Sequence, residues 1–170
     1  MEPLTWGFIG TLVGTIVGAS ASIVTTIINA RNSSKIQIDL EKYKRQGIFR
    51  EFQRDNYLKL QETFHKTLRL VALLHLEEIK NYNESGKWQK TKLNSENDRN
   101  LMIAFRDLSL YEERIQNDQL REELKSLRKK MSNVFLTSSK SESDEIMFDL
   151  MKNDFDRIMT NLGTELRNNY

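Results

Sequence analysis

The 170-residue chain has no cysteine, one proline, seven glycines and two histidines. Without cysteine there is no disulfide, no thiolate metal ligand and no cysteine nucleophile. Two histidines with no ligand-spaced cluster around them argue against a protein-built metal site, and no cofactor is expected. So little proline and glycine excludes a turn-rich β fold, because every hairpin needs its turn residues. A strong charge of either sign is also missing, since the net charge is +2. Beyond Arg54 acidic and basic residues nearly balance, and no basic patch with interleaved aromatics marks a nucleic-acid groove. The length suits one ordinary domain and is too short for two sizeable cores.

What the chain does have is one apolar run. No charged residue occurs from Leu4 to Ile28. As a helix this stretch is roughly 37 Å long, enough to cross a hydrocarbon core of about 30 Å with some tilt. Pro3 suits a first helical turn and Trp6 a membrane interface. The competing reading is a cleaved signal peptide, because Ala19-Ser20-Ala21 has the small-x-small form of a cleavage site. Against it, the leading segment carries Glu2 with no Lys or Arg, and apolar residues continue past the site. The expectation is a retained, single-pass transmembrane helix over residues 4–28. Arg31, Lys35, Lys42, Lys44, Arg45, Arg50 and Arg54 follow it. That basic flank places the N-terminus outside and the remaining residues in the cytoplasm, against anionic lipid headgroups.

The two faces of this helix differ. At 100° per residue, Gly7, Gly10, Thr11, Gly14, Thr15, Gly18, Ala21, Ser22, Thr25 and Thr26 share one half of the wheel. Trp6, Ile9, Leu12, Val13, Ile16, Val17, Ile23, Val24 and Ile27 occupy most of the other. A helix that only anchors a domain needs no such segregation, because lipid surrounds it. Gly10-x-x-x-Gly14-x-x-x-Gly18 is a doubled small-residue motif that lets helix backbones approach closely. The hydroxyls can bond across helices, bond back to their own carbonyls or face water. Self-association in the membrane is therefore expected, with Gly10, Gly14 and Gly18 setting the helix spacing. Thr11, Thr15, Ser22, Thr25 and Thr26 would face a pore or a neighbouring helix. A pore needs a ring of several copies, six or more, since two or three helices close to a dry seam.

The rest reads as helix. Residues 29–47 form a basic juxtamembrane helix or linker, with an exit from the membrane helix or a brief irregularity at 30–34 and a break or kink at Gly47. Residues 48–170 form an all-α bundle of four or five helices. Its first helix runs from Ile48 to about Tyr82, with Phe49, Phe52, Leu60, Phe64, Leu68 and Val71 among its apolar positions. Asn83 to Asn94 is a loop, and Ser95 with Asp98 starts the next helix. That stretch extends to about Leu136 with a break near Ser109. In it Leu120, Leu124, Leu127, Met131 and Val134 make a seam that packs within the protomer or between protomers. Thr137 to Ser143 is a second loop. Met147, Met151, Phe155, Ile158, Leu162 and Leu166 then draw one face of a final helix.

One pair of residues has catalytic character. Arg69 and His75, in RLVALLH, are the combination that cleaves RNA without metal: the His moves protons and the Arg stabilises the phosphate charge. Six positions separate them by about 120° around one helix, so they converge poorly without a kink or a second protomer. His75 also lies in register with Leu68, Val71, Ile79 and Tyr82 on an apolar face, where a hydrogen-bonded core or interface histidine is the simpler reading. No phosphate-binding glycine loop and no Ser/His/Asp arrangement can be assembled from the spacing.

The membrane helix, the helical cytoplasmic part and Arg69-x5-His75 together resemble the small accessory proteins of type VI-B CRISPR systems. R-x4–6-H motifs belong to the HEPN superfamily of helical nucleotide-binding and ribonuclease domains. Active members usually carry a polar residue directly after the Arg. Here it is Leu70, so the resemblance implies a non-catalytic, HEPN-like bundle. It also implies an oligomeric pore that depolarises the inner membrane in antiviral defence, partnered with an RNA-guided RNA-cleaving effector or its RNA products. Two alternatives stand beside this expectation. One is a membrane-tethered dimeric ribonuclease using Arg69 and His75. The other is a non-catalytic anchored scaffold.

Overall fold

A computed structural model describes residues 3–88 and 95–170, with side chains from Gly7 to Trp88 and from Glu96 onward. The expectations placed on Glu2, on the Trp6 and Ser95 side chains and on residues 89–94 of the loop lie outside the described residues. Helix α1 spans Pro3–Ser85, α2 Ser95–Glu112, α3 Asp118–Asn133, α4 Lys140–Asp149 and α5 Phe155–Asn168. A π-helical turn, Leu150–Asp154, joins α4 to α5. Among the described residues there is no strand. The chain divides into two units, Met1–Ile48 and Phe49–Tyr170, and α1 contributes to both.

The described residues of the first unit are all helical. The irregularity anticipated at residues 30–34 and the break at Gly47 are absent, and α1 is helical through both. Ala30-Arg31-Asn32-Ser33-Ser34 holds no proline, and Gly47 stands alone, so neither outweighs the helix formers around it. Every side chain from Gly7 to Arg50 is exposed. The stretch is long and apolar enough to cross a membrane.

The second unit is a bundle in which consecutive helical arms run antiparallel. Along α1 the partners on α2 and its following turn descend in order: Gln53 Nε2 donates to the Arg114 carbonyl and Asn56 Nδ2 to the Tyr111 carbonyl, each at 3.1 Å. The C-terminal arm descends along α1 in the same sense. His75 meets Ser143 on α4, Phe64 stacks on Phe155 at 6.1 Å, and the Arg54 guanidinium lies over the Tyr170 ring. Helix α3 closes the bundle. Arg128 pairs with Glu112 of α2, while Asn161 of α5 donates to Glu123 at 3.2 Å. The result is an up-down-up-down arrangement of four helical arms, the last built from α4, the π turn and α5.

Its core is continuous. Tyr57, Leu60, Phe64, Leu68, Val71 and Leu74 of α1 meet Leu101 and Leu108 of α2 and the α3 seam. That seam (Leu120, Leu124, Leu127, Met131, Val134) is buried within the protomer. Phe49 and Phe52, anticipated on the apolar face of α1, are instead 45% and 46% exposed, and the buried face begins at Gln53. The break anticipated near Ser109 falls at residues 113–117. Asn117 ends it as the N-cap of α3, its side chain accepting from the Leu120 amide at 3.1 Å. The second loop is shorter than anticipated, because Ser139 caps α4 by accepting from the Glu142 amide. Helix α1 runs past Tyr82 to Ser85, where Gly86 turns the chain at φ +69°.

The last arm departs most from its sequence pattern. Met151, placed on the same face as Met147, is 52% exposed, and the buried positions are Met147, Leu150, Asp154, Ile158 and Leu162. The π turn carries one extra residue per turn, so the face that a regular 3.6 period assigns to Met151 slips to Leu150 and Asp154. Asp154 is held there by Lys130 of α3 at 2.6 Å and by Arg157 at 2.7 Å. Lys130 also pairs with Asp149. Burial works to lower the Lys130 pKa, but its hydrogen bonds to Asp149 and Asp154 outweigh that and hold it up.

Candidate functional site

Two sets of residues carry the functional expectations, one in each unit. In the first, Gly10, Thr11, Gly14, Thr15, Gly18, Ser22, Thr25 and Thr26 are all exposed on α1. A Cβ built on Gly7, Gly10, Gly14 or Gly18 meets nothing within 4 Å. No contact inside the chain therefore requires glycine at these positions, and each costs helix stability relative to alanine. The four threonines bond back to their own helix. Thr11 donates to the Gly7 carbonyl at 2.6 Å, while Thr15, Thr25 and Thr26 donate to the carbonyls of Thr11, Ala21 and Ser22 at 2.8 Å. Ser20, on the other face, does the same to Ile16. Such bonds satisfy the hydroxyl donors where no water is at hand, so these residues can sit in hydrocarbon without a partner helix.

In the second unit, Arg69 and His75 sit in different surroundings. Arg69 is exposed. With His65, Leu68, Ala72, Met151 and Phe155 it lines an open apolar hollow of about 250 Å³. The His65 ring meets Phe155 edge-on at 5.7 Å. His75 is buried, 5% exposed, and points toward the start of α4. Its Nδ1 lies 3.1 Å from the Ser143 hydroxyl and its Nε2 3.0 Å from Asp144 Oδ1. The Trp88 ring stands edge-on to it at 6.2 Å, and the Trp88 indole N–H donates to the Thr137 carbonyl at 3.3 Å.

The fold thus assembles a Ser143–His75–Asp144 chain that the spacing of these residues gave no means of anticipating. Its geometry is that of a fastening. Ser143 is fully buried, and its hydroxyl donates to the Val134 carbonyl at 2.8 Å. A hydroxyl has one proton, so with that bond made Ser143 accepts from His75 Nδ1–H. Nε2 can then donate to Asp144 only if the ring is protonated. Burial pushes the His75 pKa down; the charge and hydrogen bonding of Asp144 pull it up, Lys140 adds to the lowering, and burial prevails. The neutral ring accordingly leaves Asp144 Oδ1 without an aligned donor. A serine enclosed in this way, with its proton committed to a carbonyl, lacks the access that a nucleophile needs.

The remaining buried polar groups tie the bundle together. Tyr57 packs against Glu165, and its phenol is pushed up to about 12 by burial first and by the Glu165 charge and hydrogen bond second. Asn117 reaches the same carboxylate at 2.7 Å. Among the described residues no group of acidic or histidine side chains is spaced to hold a metal ion. No family model, curated protein or solved structure matches the chain.

Proposed function

We propose that this chain is a single-pass membrane protein whose apolar helix self-associates through its glycine face. Assembled as a ring of six or more copies, it lines a pore that permeabilises the inner membrane. The observation that carries the self-association is the open space around Gly7, Gly10, Gly14 and Gly18. Glycines on one helix face that nothing in the chain needs are accounted for by a second backbone coming close. The back-bonded threonines suit lipid, a neighbouring helix or a pore lining equally, so the pore itself rests on the resemblance to type VI-B CRISPR accessory proteins. The antiviral context and an RNA-guided effector as partner rest on it too. Arg31, Lys35, Lys42, Lys44 and Arg45 favour a cytoplasmic bundle, with the N-terminus outside.

Within this reading the bundle is non-catalytic. Its support is the enclosure of His75 by Ser143, Asp144 and Trp88, with Arg69 exposed elsewhere. The same observation favours the anchored scaffold as the second reading, and the two differ in what the membrane helix does. Gly14→Leu tests the difference. At equal reconstitution into liposomes it should abolish both the oligomer and ion leakage, while the bundle keeps its melting temperature. Leakage retained in the variant overturns the glycine-face contact. A wild-type protein that is dimeric in detergent and leaks no ions overturns the pore and keeps the contact.

A further inference from the structure

Beyond the membrane segment, α1 presents a second unpartnered face. Ile36, Leu40 and Tyr43 are 59%, 62% and 71% exposed, and Gly47 continues their alternation of four and three residues. This is the spacing of a coiled-coil seam. It falls on the same side of the helix as the glycines: Gly18 and Ile36 are eighteen residues apart, which is five turns of about 3.6 residues each. Between them Asn29 and Ser33 keep the face small and polar.

We infer that Ile36, Leu40 and Tyr43 form a parallel, in-register seam with the same segment of a second copy, Asp39 of one chain facing Lys44 of the other. The inference rests on the self-association proposed above, and it adds the occupant, the orientation and the register. Three observations carry it.

The first is charge. With Ile36 and Tyr43 at d and Leu40 at a, Asp39 is a g position and Lys44 the following e position. These are the residues that meet across a parallel pair. Neither makes an ion pair within its own helix among the described residues, whereas Glu41 and Arg45, on the outer side, pair at 2.6 Å. Asn32, Gln37 and Gln46, the other flanking residues, are neutral and add no repulsion. In an antiparallel pair Asp39 would face Asp39 and Lys44 would face Lys44.

The second is the anchor. Two copies that enter one membrane by the same end leave it side by side and parallel. The tether raises the effective concentration of one seam near the other to the millimolar range, so fewer than two heptads can hold together where free peptides would not. The third is the composition of the outer side, where Arg31, Lys35, Lys42 and Arg45 lie away from the seam, free for lipid headgroups. Ile38 is the one apolar residue of residues 33–47 on that outer side.

The absence of cysteine makes the test direct. Single variants Leu40→Cys, Tyr43→Cys, Ile38→Cys and Lys42→Cys of the full chain are placed in liposomes and treated with a mild oxidant, and the disulfide-linked dimer is quantified. Ser22→Cys reports on the membrane face in the same assay. Leu40→Cys and Tyr43→Cys should cross-link several-fold more than Ile38→Cys and Lys42→Cys. Adding Asp39→Lys to Leu40→Cys should cut its cross-linking several-fold, and adding Lys44→Asp as well should restore it. Cross-linking at Ser22→Cys with none at Leu40→Cys overturns the seam and leaves the membrane contact standing, as a segment lying on the bilayer surface would give. No cross-link at any position overturns both. Equal cross-linking at all four seam-region positions, or an Asp39→Lys variant without effect, overturns the register.

Discussion

His75 and Ser143 are 68 positions apart in the chain and 3.1 Å apart in the fold. Their contact fastens the start of α4 to α1 beside Asp144, and the fastening carries a titratable ring in a buried place.

That burial fixes a pH dependence. The unfolded chain protonates His75 near its ordinary value of about 6.5, and the folded chain does so at lower pH. Between the two values the unfolded state binds more protons, so stability rises with pH there and is lost as pH falls through the window. Thermal unfolding in detergent should show a melting temperature that drops from about pH 7.5 to about pH 5.5, and drops less in His75→Gln. Parallel pH profiles for the two proteins would overturn the assignment.

A second prediction concerns Glu112, whose carboxylate is fully buried on α2. Arg128 of α3 reaches both of its oxygens, at 3.0 and 3.1 Å. Removing one partner of such a pair leaves a charge in the interior. Arg128→Ala should cost about 3 kcal/mol, the low end of the range because the Arg128 side chain is 35% exposed. Replacing both residues by apolar ones, Glu112→Leu with Arg128→Met, should recover much of that loss. Chemical denaturation of the single and double variants decides it. A double variant no more stable than Arg128→Ala would contradict the argument.

The π turn yields a third. Its extra residue lets Leu150 and Asp154 reach the core while Ile158 and Leu162 keep their places. Deleting Met151, which is half exposed, should convert the turn to regular helix and leave a cooperative unfolding transition. Deleting Met159 instead removes a residue from regular helix and turns Leu162 off the core by about 100°. Its melting temperature should fall much further. Equal loss in the two deletions would mean that the π turn is not an insertion that the helix can give up.

The fold class was legible because its causes are local. Uninterrupted helix formers, the start of α2 at Ser95 and the seam from Leu120 to Val134 each announce themselves over a few turns. Two errors were also local and correctable. Asn117 is a clear N-cap that places the break after Glu112, and Ser139 followed by Glu142 is a capping pair that starts α4. Phe49 and Phe52 misled for a different reason. Their apolar character is real, but the arms that pack on α1 pair with it from Gln53 onward, and no local signal marks where a partner helix ends.

The candidate site divides in the same way. The glycine and hydroxyl face of residues 7–26 follows from composition and the helical repeat, because a helix sorts its residues by angle. Arg69-x5-His75 is legible as a motif, and its meaning is not. Whether the histidine meets the arginine, a solvent channel or a hydroxyl depends on which helix packs against it. The sequence by itself determined an all-helical chain with one apolar, two-faced helix at its start, since propensity and periodicity act over neighbouring residues. Only the tertiary structure decided that His75 closes on Ser143 and Asp144 and that Arg69 stays outside. It alone shifted the last arm by a π turn, because side chains dozens of residues apart compete for the same interior.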